Sequence, residues 1–149
     1  MGIKTYRGNA PSRIYAPASA KKYNTKLKKI LRLMDAYINI TGHNTYQLDR
    51  VHGNEPLNIP RSRFLRPYIR KLRWFEPLRF SRIKGEMTAA ARAGDVYHLC
   101  FHPHNYGTDT EANLLFFERI LQHFSSLREK YGMMSLNMGE VYNYKKHNS

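Results

Sequence analysis

The sequence contains a single cysteine, Cys100, among its 149 residues. One cysteine cannot form an internal disulfide, and it excludes a zinc site built from cysteines. Because Cys100 lies within an apolar run, we interpret it as a buried structural thiol rather than a nucleophile. No apolar run reaches the roughly 20 residues of a membrane span, and the N-terminus lacks an apolar stretch of signal-peptide length. These two absences predict a cytoplasmic protein with no membrane span.

Acidic residues are also scarce, with 11 Asp and Glu against 25 Lys and Arg. No two aspartates are adjacent: they are Asp35, Asp49, Asp95 and Asp109. Hydrolysis at a metal usually requires carboxylate or histidine ligands and a base that activates the bound water, and the chain shows no obvious set of that kind. It also lacks a glycine-rich phosphate loop, a Gly-x-Ser-x-Gly elbow and a Walker sequence, the motifs of several nucleotide-binding and hydrolase classes.

The formal net charge of +14 favours association with polyanions such as nucleic acid, anionic lipid or acidic glycans. It also fits a neighbouring segment whose acidic residues would balance it. The stretch Arg61–Arg79 is dense in arginine and carries Tyr68, Trp74 and Phe75, which could stack on bases. We interpret this stretch as a solvated surface loop with aromatic anchors, or as a face that meets an acidic partner, because no recognised nucleic-acid motif is present.

Regular elements follow from periodicity and turn signals, and a hydrophobic fraction of 42% with 13% aromatics predicts a packed core. We predict strands at Ile3–Arg7 and Val96–His102, helices at Lys21–Ile38, Ser81–Ala93 and Thr110–Tyr131, a further short strand at Met134–Met138, loops at 10–20 and 45–60, an irregular stretch with two prolines at 61–79, and a frayed polar tail at 142–149. The first helix is amphipathic, with lysines and arginines between its apolar residues.

The helix at Thr110–Tyr131 carries the strongest local signals. Thr108-Asp109-Thr110-Glu111 has the pattern of a capping box, and Gly132 is placed to end the helix. Its main buried stripe is expected to consist of Leu114, Phe117, Leu121, Phe124 and Tyr131. The preceding helix is expected to bury Ile83, Met87, Ala90 and Ala91 and to end at Gly94.

Alternation of helices and strands predicts an α/β fold with parallel strands in one domain over residues 1–149. The unbroken apolar character of residues 96–101 suits a strand covered on both faces of a parallel sheet. The elements amount to about two βα units, which is few for a closed barrel of about eight strands.

The end of the second predicted strand is the most informative site in the sequence. His102 is expected to be the last strand residue before Pro103, and reactive groups of α/β proteins lie where strands end. A histidine there can act as a general acid or base, or can cap the strand through a loop carbonyl. His98 lies four residues earlier, about 13 Å along a strand, so the two histidines cannot share a metal ion. His104 and Asn105 are expected to order the loop or to bind substrate.

The sequence resembles the C-terminal end of bacterial polysaccharide deacetylases, the superfamily that includes chitooligosaccharide deacetylases. The resemblance is carried by Met87-x-x-Ala90, Gly94, Tyr97–Asn105, Asn113-Leu114, Phe117-Glu118-x-Ile120-Leu121, Tyr131-Gly132-Met133 and Met138-Gly139-Glu140, together with Ile3–Asn9 and Leu31–Tyr37. It spans nearly the whole chain.

This resemblance implies the C-terminal part of an incomplete, distorted (β/α) barrel and metal-dependent removal of acetyl groups from N-acetylated sugars. By position, His102 resembles the histidine that protonates the leaving amine, and Arg7 resembles the arginine that orients the base. The family's metal, a zinc-like divalent ion, is held by an Asp-Asp and a His-x-x-x-His motif that this chain lacks. We therefore expect no metal ligand in this chain.

Three explanations of that departure stay open: a truncated or split gene, a start codon placed too late, or a complementing partner chain. Alone, the polypeptide is expected to be inactive toward its carbohydrate substrate. Two other functions are also considered, a basic non-catalytic module that binds nucleic acid or anionic glycan, and a subunit that completes a partner's barrel.

Overall fold

Four strands and four α-helices make up the residues that the structure describes, 2–8, 26–51 and 55–148 of a computed structural model. In chain order they are β1 (Thr5–Gly8), α1 (Lys26–Met34), β2 (Leu57–Pro60), β3 (Arg63–Phe64), α2 (Glu76–Ala93), β4 (Leu99–Cys100), α3 (Thr110–Tyr131) and α4 (Met138–Asn148). Three short 3₁₀ turns cover Leu48–Arg50, Arg70–Phe75 and Pro103–Tyr106. The predicted loop at 10–20 and the first residues of the predicted helix, 21–25, lie outside the described residues.

All paired strands among the described residues run parallel. β1 pairs with β2 from Thr5 opposite Leu57 to Gly8 opposite Pro60, and β3 pairs with β4 with Arg63 opposite Leu99. The segment 57–64 links the two pairs, because the N–H of Arg61 donates to the carbonyl of Gly8 and that of Ser62 to the carbonyl of His98. A parallel pair needs a long crossover connection, and α1 and α2 lie in the two crossovers.

This topology confirms the predicted α/β class with parallel strands. Over the ranges 2–8, 26–51 and 55–148 the strands form two small two-stranded sheets and no closed barrel. The prediction that 45–60 is entirely loop is wrong, because β2 ends this stretch. A four-residue strand between Pro56 and Pro60 carries too few positions for the period-2 pattern to stand out.

The second predicted strand is shorter than its apolar sequence suggested. Only Leu99 and Cys100 pair in parallel with β3, whereas Val96 forms an antiparallel bridge with Tyr46. The N–H of Val96 donates to the carbonyl of Tyr46 at 2.8 Å. The backbone therefore changes its pairing partner within the run, which an apolar pattern does not reveal. Cys100 is buried, as predicted.

Helix α2 begins five residues before the predicted start at Ser81. Pro77 sits in its first turn, where a missing N–H costs no hydrogen bond and the fixed φ suits a helix. Pro77, which lies in the stretch 61–79 that we predict to be irregular, therefore opens the helix. Gly94 ends the helix in the left-handed conformation (φ 69°), as predicted, and glycine adopts that conformation without steric cost.

The capping box predicted before α3 does not form. Asp109 takes a left-handed backbone (φ 55°) and its side chain makes no cap hydrogen bond. Its carboxylate instead accepts a hydrogen bond of 2.6 Å from Nε of Arg70. The hydroxyl of Thr110 donates backward to the carbonyls of Tyr106 and Gly107. A tertiary ion pair thus replaces the local cap, although Gly132 ends α3 as predicted.

The main core lies between the strands and the parallel helices α2 and α3. Its buried residues are Leu65, Ile83, Met87, Phe116, Ile120 and Leu127. The predicted stripe of α3 is correct for Phe117, Phe124 and Tyr131, which pack on this core, but Leu114 and Leu121 are exposed. Apolar residues fill two adjacent stripes of this helix, so helical spacing alone does not determine which one faces inward.

The C-terminal segment forms a helix where we predict a short strand and a polar tail. The predicted short strand at Met134–Met138 is absent, and α4 covers most of the predicted tail. Tyr142 packs in a second apolar cluster with Val51 and Leu57, and its hydroxyl donates to Glu55. The hydrogen bond joins residues 87 positions apart in the chain, so local composition could not indicate it.

Candidate functional site

The carboxyl end of β4 presents His102 on the face of the strand opposite the helical core. Side chains alternate along a strand, and Phe101 points into the helix layer, where its ring lies 5.5 Å from that of Phe117. His102 follows with an extended backbone (φ −109°, ψ 115°) and Pro103 then starts a 3₁₀ turn. β4 ends at Cys100, so His102 lies two residues beyond the strand, between it and the turn, and is not the last strand residue as predicted.

The imidazole of His102 is held between two rings. Its centroid lies 5.2 Å from that of Phe64 on the neighbouring strand β3, and 5.4 Å from that of His104 with planes only 16° apart. Both histidine side chains are exposed. Ring contacts therefore fix the orientation of His102 while its nitrogens stay accessible to a ligand, which suits a group that exchanges a proton with substrate.

The loop after His102 closes on itself through backbone hydrogen bonds. The N–H of Asn105 donates to the carbonyl of His102 at 3.0 Å. The N–H of Gly107 lies at 3.5 Å from the carbonyl of His104. Among the predicted loop-ordering residues, His104 thus acts through its stacked ring and Asn105 through its main chain.

Arg7 lies on β1, opposite Ile59 in the parallel register, with its side chain exposed. The positive charge of Arg7 acts on His98. Burial, together with the positive charges of Arg7 and Arg61, lowers the pKa of His98 against the opposing effect of its contact with the Pro60 carbonyl. The Nδ1 of His98 lies 3.2 Å from that carbonyl oxygen. The structure therefore places Arg7 beside His98, and the role predicted for it by resemblance stays a prediction.

A second group of polar residues, which sequence reasoning missed, lies on the helix side of the strands. Arg63 of β3 donates two hydrogen bonds to the Glu86 carboxylate of α2. They run from Nε to Oε2 at 2.5 Å and from Nη2 to Oε1 at 2.8 Å. The same guanidinium reaches Asp35, at 3.1 Å from the carbonyl and 3.4 Å from Oδ2. Asp35 and Glu86 are fully buried.

Arg82 and Tyr97 complete this group, which we call the buried ion-pair network (Asp35, Arg63, Arg82, Glu86, Tyr97). Arg82 lies 3.0 Å from Glu86 and donates at 2.6 Å to the Gly42 carbonyl. Burial, aided by the charge of Arg63, lowers the pKa of Arg82. Tyr97 donates at 2.9 Å to Glu86, and burial together with that carboxylate raises its pKa well above the usual value.

Asp35 also shapes the exit from α1. Its Oδ1 accepts the N–H of Ile40 at 3.2 Å and the N–H of Thr41 at 2.9 Å, while the Thr41 hydroxyl donates to both carboxylate oxygens. One carboxylate therefore orders the turn after the helix and anchors Arg63 of β3.

The network is balanced, since two guanidinium groups face two carboxylates. Neither carboxylate is available as a general base or metal ligand, because each is occupied by arginine donors. Within 2–8, 26–51 and 55–148, no three His, Cys, Asp or Glu side chains come together as a metal site. The divalent ion implied by the resemblance does not fit the donor set of these residues.

One sequence signal could have revealed the network. Glu86 lies between Ile83, Met87 and Ala90 on the apolar face of α2, and an acid on a buried face requires a partner. Arg63 gives no comparable signal, because it is one of many arginines in its segment. The pairing therefore depends on tertiary contacts.

Comparisons with known proteins yield no match: no family model, no curated protein and no solved structure is similar to this chain. No helix among the described residues is long and apolar enough to cross a membrane.

Proposed function

We propose that this chain is the C-terminal part of a carbohydrate deacetylase, a metal-dependent hydrolase that removes acetyl groups from N-acetylated glycans, and that it is inactive alone. Its fold in this proposal is part of an incomplete (β/α) barrel with parallel strands. The resemblance over Tyr97–Asn105 supports the family, and the parallel βα order of the described elements is compatible with it.

The observation that carries the proposal is the accessible imidazole of His102 at the end of β4. Its ring is oriented by Phe64 and His104 but is not buried. A histidine that is oriented and accessible can deliver a proton to a leaving amine. His102 would hold that proton at a ring nitrogen.

The metal ligands and the base are proposed to lie outside the described residues, in a preceding segment of the same protein or in a complementing chain. When bound, such an ion would polarise the acetyl carbonyl and activate water. The contribution of this chain is the proton donor and its orienting rings, and Arg7 is proposed to act on the base.

A first test is the identity of the complementing part. Translation of the DNA upstream of Met1, or mass spectrometry of chains that co-purify with this one, should reveal an Asp-Asp and a His-x-x-x-His motif within about one domain length. Unrelated sequence upstream and no co-purifying chain with those motifs would contradict the proposal.

Acetate release tests the chemical role directly. The isolated chain should release no acetate from an N-acetylglucosamine oligomer with or without added Zn²⁺, whereas the complemented protein should. In the complemented protein His102→Ala should lower kcat by about 10²- to 10⁴-fold. His147→Ala makes the same change on exposed α4 and should leave kcat unchanged. Robust acetate release by the isolated chain would refute the proposal.

A further inference from the structure

The apolar side of α1 faces solvent. Leu27, Ile30 and Met34 recur at helical spacing in α1, and Ile38 continues that spacing four residues beyond the end of the helix; each is at least 44% exposed. No residue of α1 itself is buried. An isolated exposed leucine is ordinary, but a continuous exposed apolar stripe marks an interaction surface.

The opposite side of α1 is basic. Lys26, Lys28, Lys29 and Arg32 lie at positions turned away from the apolar stripe at 100° per residue, and the helix contains no acidic residue. A short helix with an aliphatic stripe and a lysine- and arginine-rich polar side has the composition of helices that lie in a membrane interface.

A second exposed apolar and basic segment adjoins the end of α1. Trp74 is 78% exposed and Phe75 is 49% exposed, and the guanidinium of Arg73 lies 5.0 Å from the Trp74 ring. The ring of Phe75 meets that of Tyr37 edge-on at 6.3 Å, so the two segments are neighbours. Tryptophan beside arginine is typical of the interface between hydrocarbon and headgroups.

We propose that the stripe Leu27–Ile30–Met34–Ile38 and the adjoining Trp74–Phe75 form one surface that binds an anionic lipid bilayer. Charge complementarity favours this occupant, because a bilayer with anionic headgroups offers an apolar layer and negative charge at the same face. Nucleic acid would not bury aliphatic side chains, which cannot stack on its bases. A second copy would bring together two chains that each carry +14.

Trp74 allows a test with the unmodified 149-residue chain, because it is the only tryptophan in that sequence. The chain is mixed with vesicles of phosphatidylcholine alone or of phosphatidylcholine with phosphatidylserine. With the anionic vesicles we expect Trp74 emission to shift to shorter wavelength, brominated acyl chains to quench it, and the protein to float with the vesicles. Neutral vesicles should give none of these changes.

Paired variants test the stripe. Ile30→Gln/Met34→Gln should weaken binding to the anionic vesicles at least about tenfold, since two side chains no longer gain from leaving water. The matched control Leu121→Gln/Met134→Gln changes two side chains of similar exposure elsewhere and should bind as the native chain does. Circular dichroism verifies that each variant is folded. A second test variant, Trp74→Ala, should also weaken binding to the anionic vesicles, and vesicle flotation measures that binding.

Four results would overturn the proposal. The first is that the protein does not float with anionic vesicles, and the second is that the test and control variants lose equal amounts of vesicle binding. The third is that the stripe binds polyglutamate or DNA while the protein does not bind vesicles. The fourth is that the protein forms a dimer that Ile30→Gln/Met34→Gln dissociates. None of these readouts depends on acetate release, so the result is independent of the proposed catalytic role.

Discussion

His98 and His102 come from one short segment but differ in what surrounds their rings. His98 is half-buried against the Pro60 carbonyl, and burial with the charges of Arg7 and Arg61 lowers its pKa. His102 is exposed, and its ring contacts those of Phe64 and His104. Sequence spacing alone excludes a metal ion shared by the two histidines, because four residues along a strand place them too far apart.

The lowered pKa of His98 predicts acid sensitivity. The pKa of His123 is lowered as well, by burial and by the positive charge of Lys84. The unfolded chain binds these protons near pH 6.5 and the folded chain only at lower pH. Unfolding is therefore favoured as the pH falls through that window. We expect the free energy of unfolding, measured by urea denaturation, to fall between about pH 7 and 5.5.

The double variant His98→Gln/His123→Gln isolates this effect. It should flatten the pH dependence within that window, since neither glutamine takes up a proton. Each single variant should flatten it in part. An unchanged slope in the double variant would show that other groups determine it.

At the scale of the element, the helices reveal the limits of local signals. Gly94 and Gly132 end α2 and α3 where predicted, because a left-handed terminal residue is a strictly local requirement. The capping box before α3 fails because Arg70 takes the Asp109 carboxylate. Helix α4 is the largest error, since its buried Tyr142 packs against Val51 and Leu57 and bonds Glu55, 87 residues earlier in the chain.

Tyr142→Ala tests whether α4 contributes to the fold. Because Tyr142 covers Val51 and Leu57, this variant should lower the urea midpoint and increase amide hydrogen exchange in 138–147. Tyr144→Ala removes a neighbouring tyrosine that is 46% exposed and should have a several-fold smaller effect. Equal effects would indicate that α4 frays in solution.

At the scale of the molecule, the buried ion-pair network joins three parts of the fold. It connects the exit of α1 through Asp35, strand β3 through Arg63 and helix α2 through Glu86. Burying charges is costly unless every partner is present. The network therefore specifies how these elements meet more than it adds to their stability.

Glu86→Gln tests this role. Removing the carboxylate leaves Arg63 and Arg82 buried with reduced compensation, so the free energy of unfolding should fall by about 3–5 kcal/mol. Glu129→Gln makes the same change on the exposed side of α3 and should stay within about 0.5 kcal/mol. Urea denaturation monitored by circular dichroism measures both. Similar losses would mean that the network contributes no specific stability.

The sequence by itself determined the α/β class, the C-terminal ends of α2 and α3 and the burial of Cys100, because periodicity, left-handed glycines and an apolar run are local properties. Tertiary structure alone decided which stripe of α3 faces the core, that Asp35 and Glu86 share Arg63, and that the tail forms α4. These features depend on contacts between distant residues, and the free energy of burying a charge or an aromatic ring is set by the partner it meets in space.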